Sequence, residues 1–298
     1  MDKTERREIF SEISNNKVKT YFLFLGFFVF IIVIAIALKY IFNFAGFGIL
    51  TIAGIFAIIY GLFGYFVGDK IVLFTSGAHE ADEKKYVFLH NVVEGLSISA
   101  GIPKPKVYII EDKSPNAFAT GRDPEHSSLA VTTGLLEIMN RQELEGVVAH
   151  EMSHIQNRDI QVMMVTSILF GIVSIVSDIA LRVLIFGGGD DSDNKSVVGI
   201  IIAVVLLILA PLVAMMIQLA ISRNREYLAD STGAKLTRYP KGLADALKKI
   251  AAAHEPVKNA SKGTAHLYIA NPLADGGLSG LFSTHPPIQE RIKRLEAM

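Results

Sequence analysis

Four long apolar runs constrain the fold of this 298-residue chain more than any other feature of its sequence. They lie at residues 21–38, about 47–67, 160–185 and 197–221. Each run is long enough to cross a bilayer, for which an α-helix needs about 20 residues. Hydrophobic residues make up 51% of the chain and charged residues only 19%, with a mean hydropathy of +0.40, which is too apolar for an ordinary soluble domain. We therefore predict an α-helical membrane protein with about four transmembrane helices.

Details of these runs admit more than one interpretation. Asp178 and Arg182 in the third run lie four positions apart. They form either an ion pair near the membrane interface, which we favour, or a functional intramembrane pair.

The fourth run contains Pro211, a predicted kink. This run is either a span or half of a buried hairpin, and its length favours a span. Lys39 follows the first run without a small-residue cleavage site, so we expect an uncleaved span rather than a signal peptide.

Basic residues near the span ends predict the orientation. Five Lys or Arg residues precede the first run, whereas the first connection holds Lys39 alone and the polar loop at residues 187–196 holds only Lys195. The positive-inside rule therefore places the N-terminus and both polar segments at the cytoplasmic face of a bacterial or archaeal type of plasma membrane. The chain divides into an N-terminal segment (1–20), two membrane hairpins (21–68 and 160–221) and two soluble parts (71–159 and 222–298).

An H-E-x-x-H motif lies at residues 150–154, just before the third run. On a helix, His150 and His154 project from the same face one turn apart, so both imidazoles can reach one metal ion. Glu151 projects beside them, where its carboxylate can take a proton from a water that the metal activates. Three fixed positions can match by chance, but the sequence around the motif is free of helix breakers. We predict zinc binding, and we expect the motif helix to run directly into the apolar run at residue 160.

The polar segment before the third run predicts a small α+β unit around this helix. Residues 86–100 have apolar side chains at helical spacing, and β-like runs follow at 106–110, 116–120 and 128–133. Asn140 and Glu143 form a capping-box pattern at the start of the motif helix. We predict a small β-sheet packed on the motif helix, with later chain completing the site.

The third metal ligand is predicted immediately after the fourth apolar run. Glu226 and Asp230 lie four positions apart with no helix breaker between them, so they share one helix face. We assign Glu226 to the metal and Asp230 to the orientation of a ligating histidine through its other ring nitrogen. The alternative is a solvated acidic face at the membrane surface. The chain has no cysteine, so any metal must be held by histidine and carboxylate.

Four stretches together resemble the HtpX family of membrane zinc endopeptidases, which is related to the CAAX prenyl proteases. They are NAFATG (116–121), HEMSH (150–154), SRNREYLAD (222–230) and FSTHPP (282–287). The resemblance covers nearly the whole chain, and its ligand and base positions show no departure from the family pattern. It implies a gluzincin-like core, one zinc ion, and proteolysis of membrane or damaged proteins from the cytoplasmic face, as in membrane protein quality control.

The resemblance also implies roles for two other stretches. Asn116, Ala117, Phe118 and Ala119 would form the edge strand above the zinc, to which an extended substrate adds itself by main-chain hydrogen bonds. The alternative is an ordinary inner strand. His285, which precedes two prolines that suit the start of a terminal helix, would stabilise the oxyanion. A structural role for His285 in fixing its loop is nearly as well supported.

The predicted function is therefore peptide-bond hydrolysis with Glu151 as general base, zinc as cofactor, and membrane or misfolded proteins as substrates. Two rivals are a membrane zinc sensor or structural protein without hydrolytic activity, and a transporter. The transporter ranks last because the recognisable chemistry lies outside the spans. We expect neither nucleotide nor nucleic acid as a partner, since the sequence has no phosphate-binding glycine loop and no basic-aromatic surface, and Lys+Arg equal Asp+Glu at 29 each.

Overall fold

The computed structural model describes residues 14, 18–26, 28, 29, 32, 48–169, 223–253, 256–261, 263–273 and 286–298. Residues 18–26 are helical. The elements that follow are α1 (Gly48–Thr75), β1 (Ala78–Glu80), α2 (Val87–Ala100), β2 (Lys106–Ile110), β3 (Ala117–Gly121), β4 (Ser127–Thr132), α3 (Thr133–Ile138), α4 (Arg141–Gln156), α5 (Asp159–Leu169), α6 (Arg223–Thr237), α7 (Pro240–Ala252) and α8 (Ile288–Glu296). Short 3₁₀ turns lie at Pro124–His126 and Ala265–Leu267.

Helix α1 is, among the described residues, the one helix long and apolar enough to cross a membrane. Its window Ile58–Thr75 has a mean hydropathy of 1.4 and is only 22% buried. The helix passes through Asp69 and Lys70, which follow the second apolar run in the sequence, and ends at Thr75. These two charges therefore mark the end of the apolar composition but not of the helix. The fourth predicted span, and the third from residue 170 onward, lie outside the described residues.

A four-stranded sheet in the order β1-β2-β4-β3 carries the soluble part of the fold. Strands β2 and β4 are parallel, and the other two pairs are antiparallel. Alternate side chains point to opposite faces, as the pleat requires. Ala117 and Ala119 belong to the core that packs on α4, whereas Phe118 packs with the end of α1 and with Tyr268. The predicted small sheet on the motif helix is confirmed; β1 was missed because it is only three residues long.

The motif helix α4 begins where the sequence predicted. The Asn140 side chain accepts from the Glu143 backbone N–H, and the Glu143 side chain accepts from the Asn140 backbone N–H. This capping box satisfies two backbone donors at the helix start. The prediction that α4 runs directly into the next apolar run was wrong. The helix ends at Gln156, Arg158 takes a left-handed conformation (φ 60), and α5 begins as a new helix at Asp159.

Two glycines allow α6 and α7 to approach α4 closely. A Cβ on Gly233 of α6 would lie 3.0 Å from the backbone nitrogen of His150, and a Cβ on Gly146 of α4 would lie 2.6 Å from the backbone nitrogen of Leu243. Real Cβ atoms essentially never make the second of these contacts. The small residues thus bring the backbone of α6 against the motif helix, which places the side chains at the start of α6 next to the two histidines.

Candidate metal centre

Three side chains from two helices converge on one point. His150 and His154 project from α4, and Glu226 from the first turn of α6. The two Nε2 atoms lie 3.2 Å apart, Glu226 Oε1 lies 3.6 Å from His154 Nε2, and Glu226 Oε2 lies 3.7 Å from His150 Nε2. All three side chains are buried. The predicted ligands are thus brought together by the structure.

The spacing of these atoms fits a tetrahedral zinc site. With zinc–ligand distances of about 2.0–2.1 Å, two ligand atoms at a tetrahedral angle are separated by about 3.3 Å. The separations of 3.2, 3.6 and 3.7 Å lie near that value. The last two are to different oxygens of Glu226, and one ligand atom from each of the three residues lies within 4.8 Å of the other two. Histidine nitrogen and carboxylate oxygen are also ligands that zinc accepts, and three of them leave a fourth position open. The residues present therefore fit the group that the sequence predicted.

Each histidine is oriented by a carboxylate behind it. Asp230 Oδ1 lies 2.9 Å from Nδ1 of His150, as predicted. Asp159 Oδ2 lies 2.9 Å from Nδ1 of His154, and this residue was not predicted. Because a carboxylate only accepts, each Nδ1 carries the proton and each Nε2 is left to bind a metal. The break between α4 and α5 places Asp159 where it can turn back to His154.

Glu151 lies beside the two histidines and is 1% exposed. Neither of its carboxylate oxygens makes a well-formed hydrogen bond with any residue in the described part of the chain. Burial raises the pKa of Glu151 to about 8, while the charge of His154 and the nearby backbone N–H of Ala119 act in the opposite direction. A buried carboxylate with spare acceptor capacity next to a metal position is suited to receive a proton.

The charges of the cluster leave room for a divalent cation. Four buried carboxylates (Glu151, Asp159, Glu226 and Asp230) face two buried arginines (Arg225 and Arg291), which leaves a deficit of two positive charges when both histidines are neutral. One zinc ion supplies two charges.

The pKa values of His154, His150 and Asp230 are shifted by burial and by their charged neighbours. Burial lowers the pKa of His154, but the hydrogen bond to Asp159 and the charges of Glu226 and Asp159 outweigh it and raise the pKa to about 9. His150 behaves differently, because burial and the charge of Arg291 lower its pKa and keep it neutral. Burial raises the pKa of Asp230, but Arg291 and His150 together hold it well below its usual range.

The predicted substrate strand is at the sheet edge, but its outer side is covered. Strand β3 is the last strand of the sheet, so the prediction of an edge position is confirmed. Phe118 forms an antiparallel bridge with Tyr268, and the Ile269 N–H donates to the Ala117 carbonyl at 2.9 Å. The Asn116 side-chain amide donates to the Ala270 carbonyl at 3.1 Å. Residues 267–270 thus lie along β3 where an extended peptide would add.

Three residues of the site were not predicted from the sequence, and His285 lies outside the described residues. The missed residues are Asp159, Arg225 and Arg291. Arg291 did leave a signal, since it follows Ile288 by three positions and precedes Leu295 by four on a helix whose apolar face is buried. A cation on that face indicates a buried ionic partner. Asp159 left no comparable signal, because nothing in the sequence marks the helix break before it.

The arrangement is that of a metallopeptidase: two histidines and a glutamate lie on one helix, a second helix brings a carboxylate to them, and a sheet edge packs beside them. Residues 83–298 match peptidase family M48. Over almost its whole length the chain is similar to proteins named "Protease HtpX homolog". The one from Caldanaerobacter subterraneus subsp. tengcongensis is 46% identical over 98% of this chain and 99% of its own length, and that from Streptococcus gordonii is 42% identical over 97% and 100%. The chain therefore belongs to peptidase family M48 and, within it, to the HtpX family, and it is a metalloendopeptidase of the membrane-associated kind.

A solved structure supports the fold independently. The crystal structure of S. mikatae Ste24p matches 96% of this chain and 67% of its own chain with a TM-score of 0.52. The sequences are only 19% identical, so this similarity concerns the architecture alone. It agrees with the helical, M48-type arrangement around a small mixed sheet.

Proposed function

We propose that this protein is an integral-membrane zinc endopeptidase that cleaves membrane or misfolded proteins at the cytoplasmic face, in membrane protein quality control. The observation that carries the proposal is the convergence of His150, His154 and Glu226, with ligand atoms within 4.8 Å of one another, beside the buried Glu151. Positively charged residues before the first apolar run support the cytoplasmic orientation. The proposed localisation is a plasma membrane, with the lipid bilayer and protein substrates as partners.

Zinc held by these three ligands would polarise the scissile carbonyl and lower the pKa of a water molecule. Glu151 accepts the proton of the attacking water and passes it to the leaving nitrogen, so one N–H bond forms as the C–N bond breaks. Asp230 and Asp159 hold the two imidazoles in the tautomer that ligation needs. Stabilisation of the oxyanion by His285 stays a prediction.

Strand β3 is the proposed substrate strand. The carbonyl of Ala117 points away from β4, toward the outer edge of the sheet, where it accepts from the Ile269 N–H. A substrate that adds to this edge needs the same carbonyl. Residues 267–270 and an extended substrate therefore compete for β3, and this segment must move aside before a substrate strand can add at Ala117.

The decisive experiment compares wild-type protein with Glu151→Gln, both purified at full length in detergent and loaded with zinc. General acid–base catalysis contributes on the order of 10²- to 10⁴-fold, so cleavage of an unfolded protein substrate should fall by about that factor while zinc content is unchanged. Glu145→Gln, on the same helix but paired with Arg141 at the surface, is the matched control and should cleave normally. Near-wild-type cleavage by Glu151→Gln would show that the base is another group.

The rival function, a zinc sensor without hydrolytic activity, gives a different result in the same assay. It requires full zinc occupancy in the wild-type protein with no proteolysis, including no self-cleavage in detergent. The quality-control role is tested in cells by comparing the membrane proteins that accumulate with Glu151→Gln and with the wild type. Equal accumulation in both strains would argue against that role.

A further inference from the structure

Arg291 is a buried cation held against the metal centre by a helix far away in the sequence. It lies on α8, is 1% exposed, and is among the largest fully buried side chains of the described residues. Its Nε donates to Asp230 Oδ2 at 2.8 Å, and its Nη2 donates to Asp230 Oδ1 at 2.7 Å. Two parallel bonds of this kind fix both the position and the plane of the carboxylate, which an ammonium group cannot do.

The carboxylate held by Arg291 is the one that orients His150. Oδ1 of Asp230 accepts from Arg291 and also lies 2.9 Å from Nδ1 of His150. Rotation of the Asp230 carboxylate would break this second contact and release the imidazole ring. Arg291 therefore acts on the position of His150 through Asp230, and its Nη2 also lies 3.4 Å from both ring nitrogens of His150.

The same contacts decide which acid can serve as a metal ligand. Both oxygens of Asp230 are engaged by Arg291, so this carboxylate cannot turn toward the point between the two Nε2 atoms. Glu226 has only a longer contact with the guanidinium, 3.5 Å from Nη1 to Oε2. The remaining short bond of Nη1 goes to the Ile269 carbonyl at 2.8 Å. The arginine thus holds one acid in place and leaves the other directed toward the metal position.

We propose that Arg291 is a positioning residue of the metal centre, which sets His150 for ligation and keeps Asp230 out of the ligand set. The proposal rests on the metal site of the proposed function. It predicts that loss of the guanidinium fork weakens zinc binding even when the positive charge is kept.

The test measures zinc affinity of full-length protein in detergent, stripped of metal and titrated against a competing chromogenic chelator. Changes in residues that orient metal ligands typically cost 10- to 100-fold in affinity, so Arg291→Lys should raise the zinc Kd by about that factor. Arg294→Lys is the matched control, since Arg294 lies on the same helix, is half exposed and pairs with Glu290 at the surface. Its zinc Kd should stay within about twofold of the wild type.

A second measurement separates positioning from a purely structural role. The visible absorption spectrum of the cobalt-substituted protein reports the ligand geometry, and Arg291→Lys should change this spectrum while Arg294→Lys should not. A structural role alone would lower the melting temperature of the metal-free protein and leave both the spectrum and the zinc Kd of the folded fraction unaltered. That result would overturn the proposal.

A double variant covers the case in which Arg291→Lys does not fold. Asp230→Asn with Arg291→Met removes both buried charges, a replacement that buried ion pairs often tolerate, and should fold with weakened zinc binding. Wild-type zinc affinity in either folded variant would overturn the proposal. Failure of both variants to fold would also overturn it, because the Asp230–Arg291 pair would then be needed for the stability of the core. Failure of the wild-type protein to bind zinc would instead refute the proposed metal site, so the two failures are distinguishable.

Discussion

Asp159 lies 2.9 Å from Nδ1 of His154, the same separation that joins Asp230 to Nδ1 of His150. The two proposed metal ligands of α4 are thus each oriented by an aspartate, one from the next helix in sequence and one from α6. This doubled arrangement leaves neither imidazole free to change tautomer.

Asp159→Asn should weaken zinc binding. The amide can still accept from His154 through its oxygen, but it has no charge to strengthen the basicity of the ring, and such changes typically cost about 10- to 100-fold in metal affinity. The zinc Kd is measured by chelator competition. Asp123→Asn is the control, because Asp123 accepts from His126 at 2.8 Å in an exposed pair away from the cluster. An unchanged Kd for Asp159→Asn would mean that the contact does not support ligation.

Local patterns in the sequence were sufficient for most of the core. Strand β2 was predicted at 106–110 and observed as Lys106–Ile110, while β3 and β4 were each displaced by one residue. The capping box at Asn140 placed the start of α4, because a cap depends on residues only three positions apart. Two histidines and two acids at helical spacing likewise identify their shared faces without any tertiary information.

The features that were missed depend on long-range contacts or on backbone conformation without a sequence marker. The left-handed residue that separates α4 from α5 is Arg158, whereas glycine or asparagine usually marks such a position. The break therefore stayed hidden, and with it the role of Asp159. Residues 267–270 lie along β3 through a hydrogen bond between Ile269 and Ala117, which are 152 positions apart in the sequence. No local sequence pattern encodes that pairing.

A reversible crosslink should block proteolysis if residues 267–270 compete with substrate for β3. Phe118 and Tyr268 are directly opposite in an antiparallel bridge, where Cα atoms are about 4.5–5.5 Å apart, within the range that a disulfide spans. The chain has no other cysteine, so Phe118→Cys with Tyr268→Cys forms one defined bridge. Oxidised protein should bind zinc but cleave an unfolded substrate at least about tenfold more slowly than the reduced form.

The single-cysteine variants are the controls for this crosslink. Each removes one of the two rings that pack edge to face, so each carries part of the packing cost without the bridge. Their cleavage rates should not respond to oxidant. If oxidised and reduced double variants cleave at equal rates, substrate binds without displacing the segment.

Gly146→Ala should destabilise the fold by separating α4 from α7. The added methyl would lie 2.6 Å from the backbone nitrogen of Leu243, and backbone cannot move aside as a side chain can. Overpacking of this kind costs about 1–3 kcal/mol of unfolding free energy. Gly95→Ala on α2 is the control, since no atom lies within 4 Å of its Cβ, and it should be neutral or stabilising by up to about 1 kcal/mol. Denaturant unfolding in detergent measures both, and an equal midpoint for the two variants would contradict the close helix contact.

His266 should make the fold less stable as the pH is lowered. Its ring is buried and donates through Nε2 to the Met163 carbonyl at 3.0 Å. Burial, with a smaller contribution from the charge of Arg225, lowers the pKa of His266 from 6.5 to about 4. Between these two values the unfolded chain binds a proton that the folded chain does not. The contribution of the neutral ring is therefore complete above pH 6.5 and is lost as the pH falls toward 4.

The measurement compares wild type with His266→Gln, whose amide can still donate to Met163. Glu151 and His154 also titrate in the metal-free protein, and they are present in both variants, so the informative quantity is the difference between the two pH profiles. The wild type should lose more unfolding free energy than His266→Gln on going from pH 7 to pH 4.5, by an amount on the order of 2–3 kcal/mol. Parallel profiles for the wild type and His266→Gln would show that the buried ring does not resist protonation.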